Sequence, residues 1–213
     1  MAPEAAPTDS SPALTVRYRD RWILVVDKPF GMPSQPDQGG HANVYDLVVA
    51  RERYAALHHR LDTPASGLLV LSLSPQVNAA LARGFREHRI QRLYLGVVVG
   101  DPGPSGVWDA PLDGQRARTR WERCGVGEGM SVLRFDLETG RMHQIRRHAA
   151  AAGAPLVGDR RYGGAAGRAW PRLALHAARL VLPHPVTGSR LCIDAPMPED
   201  LRALVARAGW TDP

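Results

Sequence analysis

The segment His59-Arg60-Leu61-Asp62-Thr63-Pro64-Ala65-Ser66-Gly67-Leu68-Leu69 sets a carboxylate beside an arginine at a turn, just before an apolar run. A carboxylate fixed by such a junction is presented at the floor of a cleft, where it can attack an electrophilic carbon or remove a proton. An Asp in a turn is ordinarily a turn former or cap, so Asp62 needs further support. A second segment runs Leu137-Glu138-Thr139-Gly140-Arg141-Met142-His143-Gln144-Ile145-Arg146-Arg147-His148, followed by Gly153-Ala154-Pro155-Leu156-Val157-Gly158-Asp159-Arg160-Arg161-Tyr162-Gly163. A helix starting near Met142 buries Ile145 together with His148 or Ala149. It sends Arg146 and Arg147 in different directions, and Arg147 reads as a solvated cation.

The elements that must hold these residues follow from pattern. Residues 23–29 are apolar, β-branched and stopped by Pro29, which predicts a strand. Asn43 is placed to cap a helix over 44–53. Residues 67–74 form a buried strand, and Ser74–Pro75 opens a helix over 75–88. Residues 93–100 form another buried strand, and 101–118 read as a Gly/Pro-rich connection. Strands are predicted at 118–124, 130–137, 173–182 and 190–194, a helix after Arg141 ending at Gly153, and a closing helix at 198–208. The order lacks the alternating strand–helix rhythm of a doubly wound sheet. It predicts an α+β fold: one catalytic domain over residues 16–213 with a mixed, mostly antiparallel sheet flanked by helices. Residues 1–15, rich in Pro, Ala and Ser, read as a disordered tail without the layout of a secretory signal.

Composition narrows the partner. The chain has 213 residues and a net charge of +6, so a polyanion such as nucleic acid is the first partner to consider. Lys28 is the only lysine. Arginine forks suit phosphate and stack on bases, and a G+C-rich genome produces the same bias; the positive charge is informative under either cause. No apolar run reaches the roughly 18 residues that span a bilayer, so no membrane association is expected. The two cysteines, Cys124 and Cys192, form neither a CxxC pair nor a disulfide framework, which points to a reduced, cytoplasmic setting. His143 and His148 are not at the i, i+4 spacing of a helical zinc pair, and adjacent His58 and His59 point opposite ways on a strand. No metal site is expected, and His59, His143 and His176 read as loop-orienting hydrogen-bonding groups.

Together these segments resemble the RluA-type family of pseudouridine synthases. Residues 59–69 match its pattern His-Arg-Leu-Asp-x-x-Thr-Ser-Gly-Leu-Leu except at Ala65, and residues 140–146 match Gly-Arg-Thr-His-Gln-Ile-Arg except at Met142. Asp27-Lys28-Pro29-Phe30-Gly31, Arg92-Leu93-Tyr94-Leu95, Leu173-Ala174-Leu175-His176-Ala177 and Pro183-His184-Pro185 are similar to further elements in the same order. The resemblance covers about residues 22–200 and implies isomerisation of uridine in ribosomal or transfer RNA. That reaction breaks the N1–C1′ bond and rejoins the base through C5, with no redox step and no cofactor. A fixed carboxylate stabilises the positive charge that develops on the sugar. Burial opposes a charged carboxylate, and a guanidinium restores it.

The resemblance implies that Asp62 is the catalytic carboxylate and Arg146 its partner. It also implies that Tyr94 packs on the base and helps move the C5 proton, and that Arg60 fills the gap left by the flipped nucleotide. Without it, Tyr94 reads as a core residue of an apolar strand. His59 and Ile145 join the substrate-contacting set. Arg116, Arg118 and Arg120 alternate on one strand face, and with Arg160 and Arg161 they are candidate phosphate contacts or simply a solvated face. Many relatives carry a small RNA-binding domain before the core; about twenty residues precede it here, so that domain is expected to be missing. The expected enzyme acts as a monomer. Two rivals remain: an RNA-binding protein with an inert cleft, and a glycosidic hydrolase, which needs a second carboxylate to activate water.

Overall fold

The computed structural model describes residues 14–211. One sheet organises them. Its strands are β1 (Thr15–Arg19), β2 (Ile23–Lys28), β3 (Ala56–Leu57), β4 (Ser66–Ser72), β5 (Gln91–Val99), β6 (Ser105–Trp108), β7 (Thr119–Gly127), β8 (Met130–Leu137), β9 (Leu175–Pro183) and β10 (Arg190–Asp194). The helices are α1 (Val44–Val49), α2 (Asn78–Arg86), α3 (Gln144–Ala151) and α4 (Glu199–Arg207). The strands run in the order β1-β2-β4-β9-β5-β8-β7-β6, with β10 on β9 and β3 on β4. β4 and β9 are parallel, and the other pairings are antiparallel. The mixed, mostly antiparallel α+β architecture is thus the observed one.

The continuous apolar runs of β2 and β4 reflect burial on both faces. Leu24, Val26, Leu69 and Leu71 enter one core with α1 and α3 residues such as Val44 and Ile145. Ile23, Val25, Leu68 and Val70 enter another with Val77 and Leu81. α4 closes a third cluster through Leu201, Leu204 and Val205.

The expected elements lie close to their observed places, and the two-residue β3 is an addition. α1 stops at Val49 instead of 53. The helix expected over 75–88 is a 3-10 turn, Pro75–Val77, capped by Ser74 and followed by α2. β6 lies inside the supposed connection; it is short, half-exposed and paired only with β7, so it leaves no apolar run. β1 is a polar edge strand, and Thr15 at its start belongs to the sheet although it was assigned to the tail. Residues 1–13 of that tail lie outside the described residues.

The centre of the sheet positions the chemistry. Ala177 of β9 is in register with Gly67 of β4 on one side and with Tyr94 of β5 on the other. The loop carrying Asp62 feeds directly into β4, so this row brings it beside Tyr94. A register shift between Leu93 and Tyr94 re-aims the tyrosine. The approach is tight: Gly67 has φ +112°, and a Cβ there would lie 2.4 Å from the Ala177 carbonyl oxygen. Gly67→Ala therefore combines backbone strain with a backbone clash and should cost on the order of 2–4 kcal/mol. That is roughly 5–15 °C in the melting temperature of a chain this size, read by circular dichroism. Gly188→Ala, also at positive φ but with open space around it, should lose clearly less.

Candidate active site

Asp62 is held by its backbone, which leaves its side chain free for chemistry. Ala65 N–H donates to the Asp62 carbonyl at 2.9 Å, closing the turn. Before it, Ser34 brackets Leu61: its Oγ donates to the Leu61 carbonyl at 2.9 Å and accepts the Leu61 N–H at 3.0 Å. After it, Lys28 Nζ donates among the carbonyls of Pro29, Met32, Thr63 and Ala65 at 2.5–3.2 Å. Lys28 is fully buried. Burial, helped by the charge of Arg172, pushes its pKa down to about 7, while the ring of carbonyl oxygens favours the ammonium. Ala65 serves the turn through its backbone, donating to Asp62 and accepting from Lys28.

Arg146, on the first turns of α3, meets two carboxylates. Its Nε and one Nη donate to Asp159 at 2.8 Å each, and the other Nη donates to Asp62 Oδ2 at 3.2 Å. Burial works against the Arg146 charge, but the hydrogen bonds and charges of Asp159 and Asp62 outweigh it and raise its pKa. Burial likewise opposes ionisation of Asp159; Arg146 and the backbone N–H groups of Tyr162 and Arg161 overcome it and lower that pKa. The consequence is electrostatic. One cation stands between two anions, and its bidentate grip goes to the fully enclosed Asp159. Asp62 keeps a single direct hydrogen bond from Arg146 and a side chain 23% exposed. That bond goes to Oδ2, and Oδ1 takes no hydrogen bond from the described residues, with the His143 ring nitrogen 3.9 Å away.

The second carboxylate required of a hydrolase is thus present but occupied: Asp159 cannot reach water from beneath Arg146. Sequence alone gives Asp159 no role beyond membership of the stretch that follows the second segment. Its role depends on a meeting between α3 and the following loop that no local pattern encodes. His143 also belongs here. It sits in the left-handed region at φ +54°, its Nδ1 lies 2.8 Å from the Tyr162 hydroxyl, and its Nε2 lies 3.9 Å from Asp62 Oδ1. Burial lowers its pKa, against the attraction of Asp62. Tyr162 in turn lies beneath the guanidinium of Arg146, 5.1 Å from its centroid.

These groups line a cleft of about 910 Å³ that brings together His59, Arg60, Asp62, Tyr94, Arg116, Ile145 and Arg146. Tyr94 is 6% exposed. Burial, with a contribution from Asp62 and opposition from Arg92, raises its pKa. Arg60 is exposed at the rim, and Ile145 is buried beneath the floor. His59 is a wall residue: its ring stacks on Phe85 at 4.7 Å, and its Nε2 accepts the Val70 N–H at 3.0 Å. Burial and neighbouring cations drive its pKa to about 3, so it contributes shape and no charge.

The expected basic strand face splits. Arg116 lines the cleft, but Arg118 and Arg120 both pair with Glu138. Arg160 lies outside the cleft-lining set. Arg147 is paired with Asp113, a partner its reading as a solvated cation did not supply. Among the described residues no cluster of His, Cys, Asp and Glu could hold a metal, and no helix is long and apolar enough to cross a membrane.

Residues 22–151 match the family profile described as RNA pseudouridylate synthase. The chain belongs to the RluA-type RNA pseudouridine synthases. It is 34% identical to a Zymomonas mobilis protein named ribosomal large subunit pseudouridine synthase D, over 90% of this chain and 71% of that protein. It is 36% identical to the dual-specificity RNA pseudouridine synthase RluA of Escherichia coli, over 87% of this chain and 94% of that one. Human RNA pseudouridylate synthase domain containing 1 shares the fold, with a TM-score of 0.79 over 98% of this chain and 24% identity.

In this synthase Asp159 is the test of the charge arrangement. Asp159→Asn keeps the shape and leaves an acceptor for the backbone N–H groups, but it releases the bidentate grip on Arg146. The single-turnover rate should fall about 10- to 100-fold through misplacement of the guanidinium. Thermal melting separates this from global unfolding. A wild-type rate in a normally folded variant would show that α3 and Asp62 suffice to hold Arg146.

Proposed function

We propose that Asp62 is the catalytic carboxylate of this synthase, acting on specific uridines of ribosomal RNA, with transfer RNA as the second candidate. The observation that carries the reading is the shared guanidinium. It stands 3.2 Å from one oxygen of Asp62 in a partly enclosed cleft while leaving the other oxygen open to the ribose. The target uridine must leave its stack to reach it, and Tyr94 offers a ring face at the cleft wall. As the N1–C1′ bond breaks, Asp62 either bonds to the sugar or takes a sugar proton. The uracil turns, and C5 bonds to C1′ as the Asp62–C1′ bond breaks or as Asp62 returns the proton to the sugar; the C5 proton then leaves and N1 takes one up, with Tyr94 to assist. Arg60, at the rim, fills the space vacated by the flipped nucleotide, and Arg116 contacts phosphate. Ribosomal RNA is favoured because the Zymomonas relative is named for the large ribosomal subunit.

The catalytic unit of this proposal is the domain expected over residues 16–213, with Thr15 of β1 added to it. The cleft is built within one chain, which supports action as a monomer, and the free Cys124 and Cys192 support a cytoplasmic setting. Wild-type protein incubated with unmodified ribosomal RNA tritiated at uridine C5 should release tritium without free uracil. Asp62→Asn should release none above background. Equal release by both would remove Asp62 from the mechanism, and free uracil would mean hydrolysis. Labelled transfer RNA run in parallel assigns the substrate class. Tyr94→Phe should bind RNA as tightly as wild type but turn over about 100-fold more slowly or worse; unchanged turnover would reduce it to packing.

A further inference from the structure

Several groups outside the proposed catalytic set are already accounted for within the fold. Ser66, His176 and Arg172 form a buried chain of hydrogen bonds that ends on the exposed carboxylate of Asp200. Arg118, Arg120, Arg123 and Arg134 are all neutralised by carboxylates. One cation stands apart. Arg92 lies on β5, two residues before Tyr94, and both line the cleft. Its guanidinium sits 5.6 Å from the Phe85 ring centroid, and one Nη lies 3.4 Å from the Thr139 carbonyl. Its Nε is buried without a hydrogen-bond partner, and no ion pair among the described residues includes it.

A half-buried guanidinium that serves the fold is normally matched by a carboxylate, because the unmatched charge is costly. Here no carboxylate among the described residues pairs with it directly, Asp136 on β8 acting on it only through space, and a stack restrains it. The His59 ring lies on Phe85, and Phe85 underlies Arg92. On the same wall stand Arg86, also without a carboxylate partner, and His88 at φ +55°. The stack limits the side chain's freedom before any ligand arrives, which lowers the entropy lost on binding. Such a planar, pre-oriented fork suits two oxygens of one phosphate.

We propose that Arg92 binds a backbone phosphate flanking the target uridine, with Arg86 as its exposed neighbour. The proposal rests on the reading of this cleft as an RNA-modifying site. Tyr94 and Asp62 address the base and the ribose; Arg92, next along the wall, addresses the third part of the nucleotide. A phosphate contact contributes counterion release, so it must appear in the salt dependence of binding. A contact to a base carbonyl, or simple packing, does not.

The test compares wild type with Arg92→Gln, Arg92→Lys and, as a control away from the cleft, Arg202→Gln on α4. Anisotropy of a fluorescein-labelled, single-stranded, uridine-containing RNA is followed over a range of KCl concentrations. Arg92→Gln should weaken binding about 5- to 10-fold and reduce the slope of log affinity against log salt by about 0.7. Arg92→Lys should keep the wild-type slope, and Arg202→Gln should match wild type throughout. An unchanged slope in Arg92→Gln, with or without weaker binding, overturns the proposal, as does an equal change in Arg202→Gln. Tritium release is measured on the same proteins. If wild type releases none while the slope shifts, the catalytic reading fails and the phosphate site stands. If wild type releases tritium and the slope does not shift, only the phosphate site fails.

Discussion

Everything in the cleft is arranged around one guanidinium between two carboxylates. Arg146 binds Asp159 through two hydrogen bonds and Asp62 through one. The unequal division matters. Asp159 is enclosed, so its charge is stable only with full pairing. Asp62 is partly exposed and takes a single hydrogen bond from the same guanidinium. Arg146–Asp159 is therefore a fixed structural ion pair, and Asp62 is the carboxylate it positions.

That placement requires Asp62 to stay still, and the fold achieves this through backbone contacts. Ser34 on one side and Lys28 on the other hold the residues flanking it, and Lys28 ties four carbonyls from two loops to one ammonium. Removing Lys28 would leave several buried carbonyls without donors, a larger penalty than the loss of a surface charge. The sheet does the rest. Because Ala177 sits between Gly67 and Tyr94, the distance from the Asp62 turn to the aromatic ring is set by strand spacing rather than by a mobile loop.

Charge pairing also sorts the many arginines. Net charge predicted a polyanion partner but not which cations meet it. Glu138 occupies Arg118 and Arg120, whereas Arg60, Arg86, Arg92 and Arg116 line the cleft without carboxylate partners among the described residues. A cation already matched by a neighbour gains little from a phosphate. The departure at Met142 falls at the rim, where the side chain is half-exposed.

The sequence alone determined the two-sided strands β2, β4, β5 and β8, the Asn43 and Ser74 caps and the α+β class, because these depend on neighbours in the chain. Asp62, Tyr94 and Arg146 were legible through motif resemblance, since their local frames are short and fixed. The tertiary structure decided what depends on separation. β1 and β6 are polar edge strands that exist only because β2 and β7 offer hydrogen bonds. Asp159 could not be told from a turn residue until the loop after α3 folded back under Arg146. Likewise, Arg118 and Arg92 look alike as sequence; the bend after β8 brings Glu138 to one, and no carboxylate pairs with the other among the described residues. Charge is a property of a residue, but its availability is set by what the fold puts beside it.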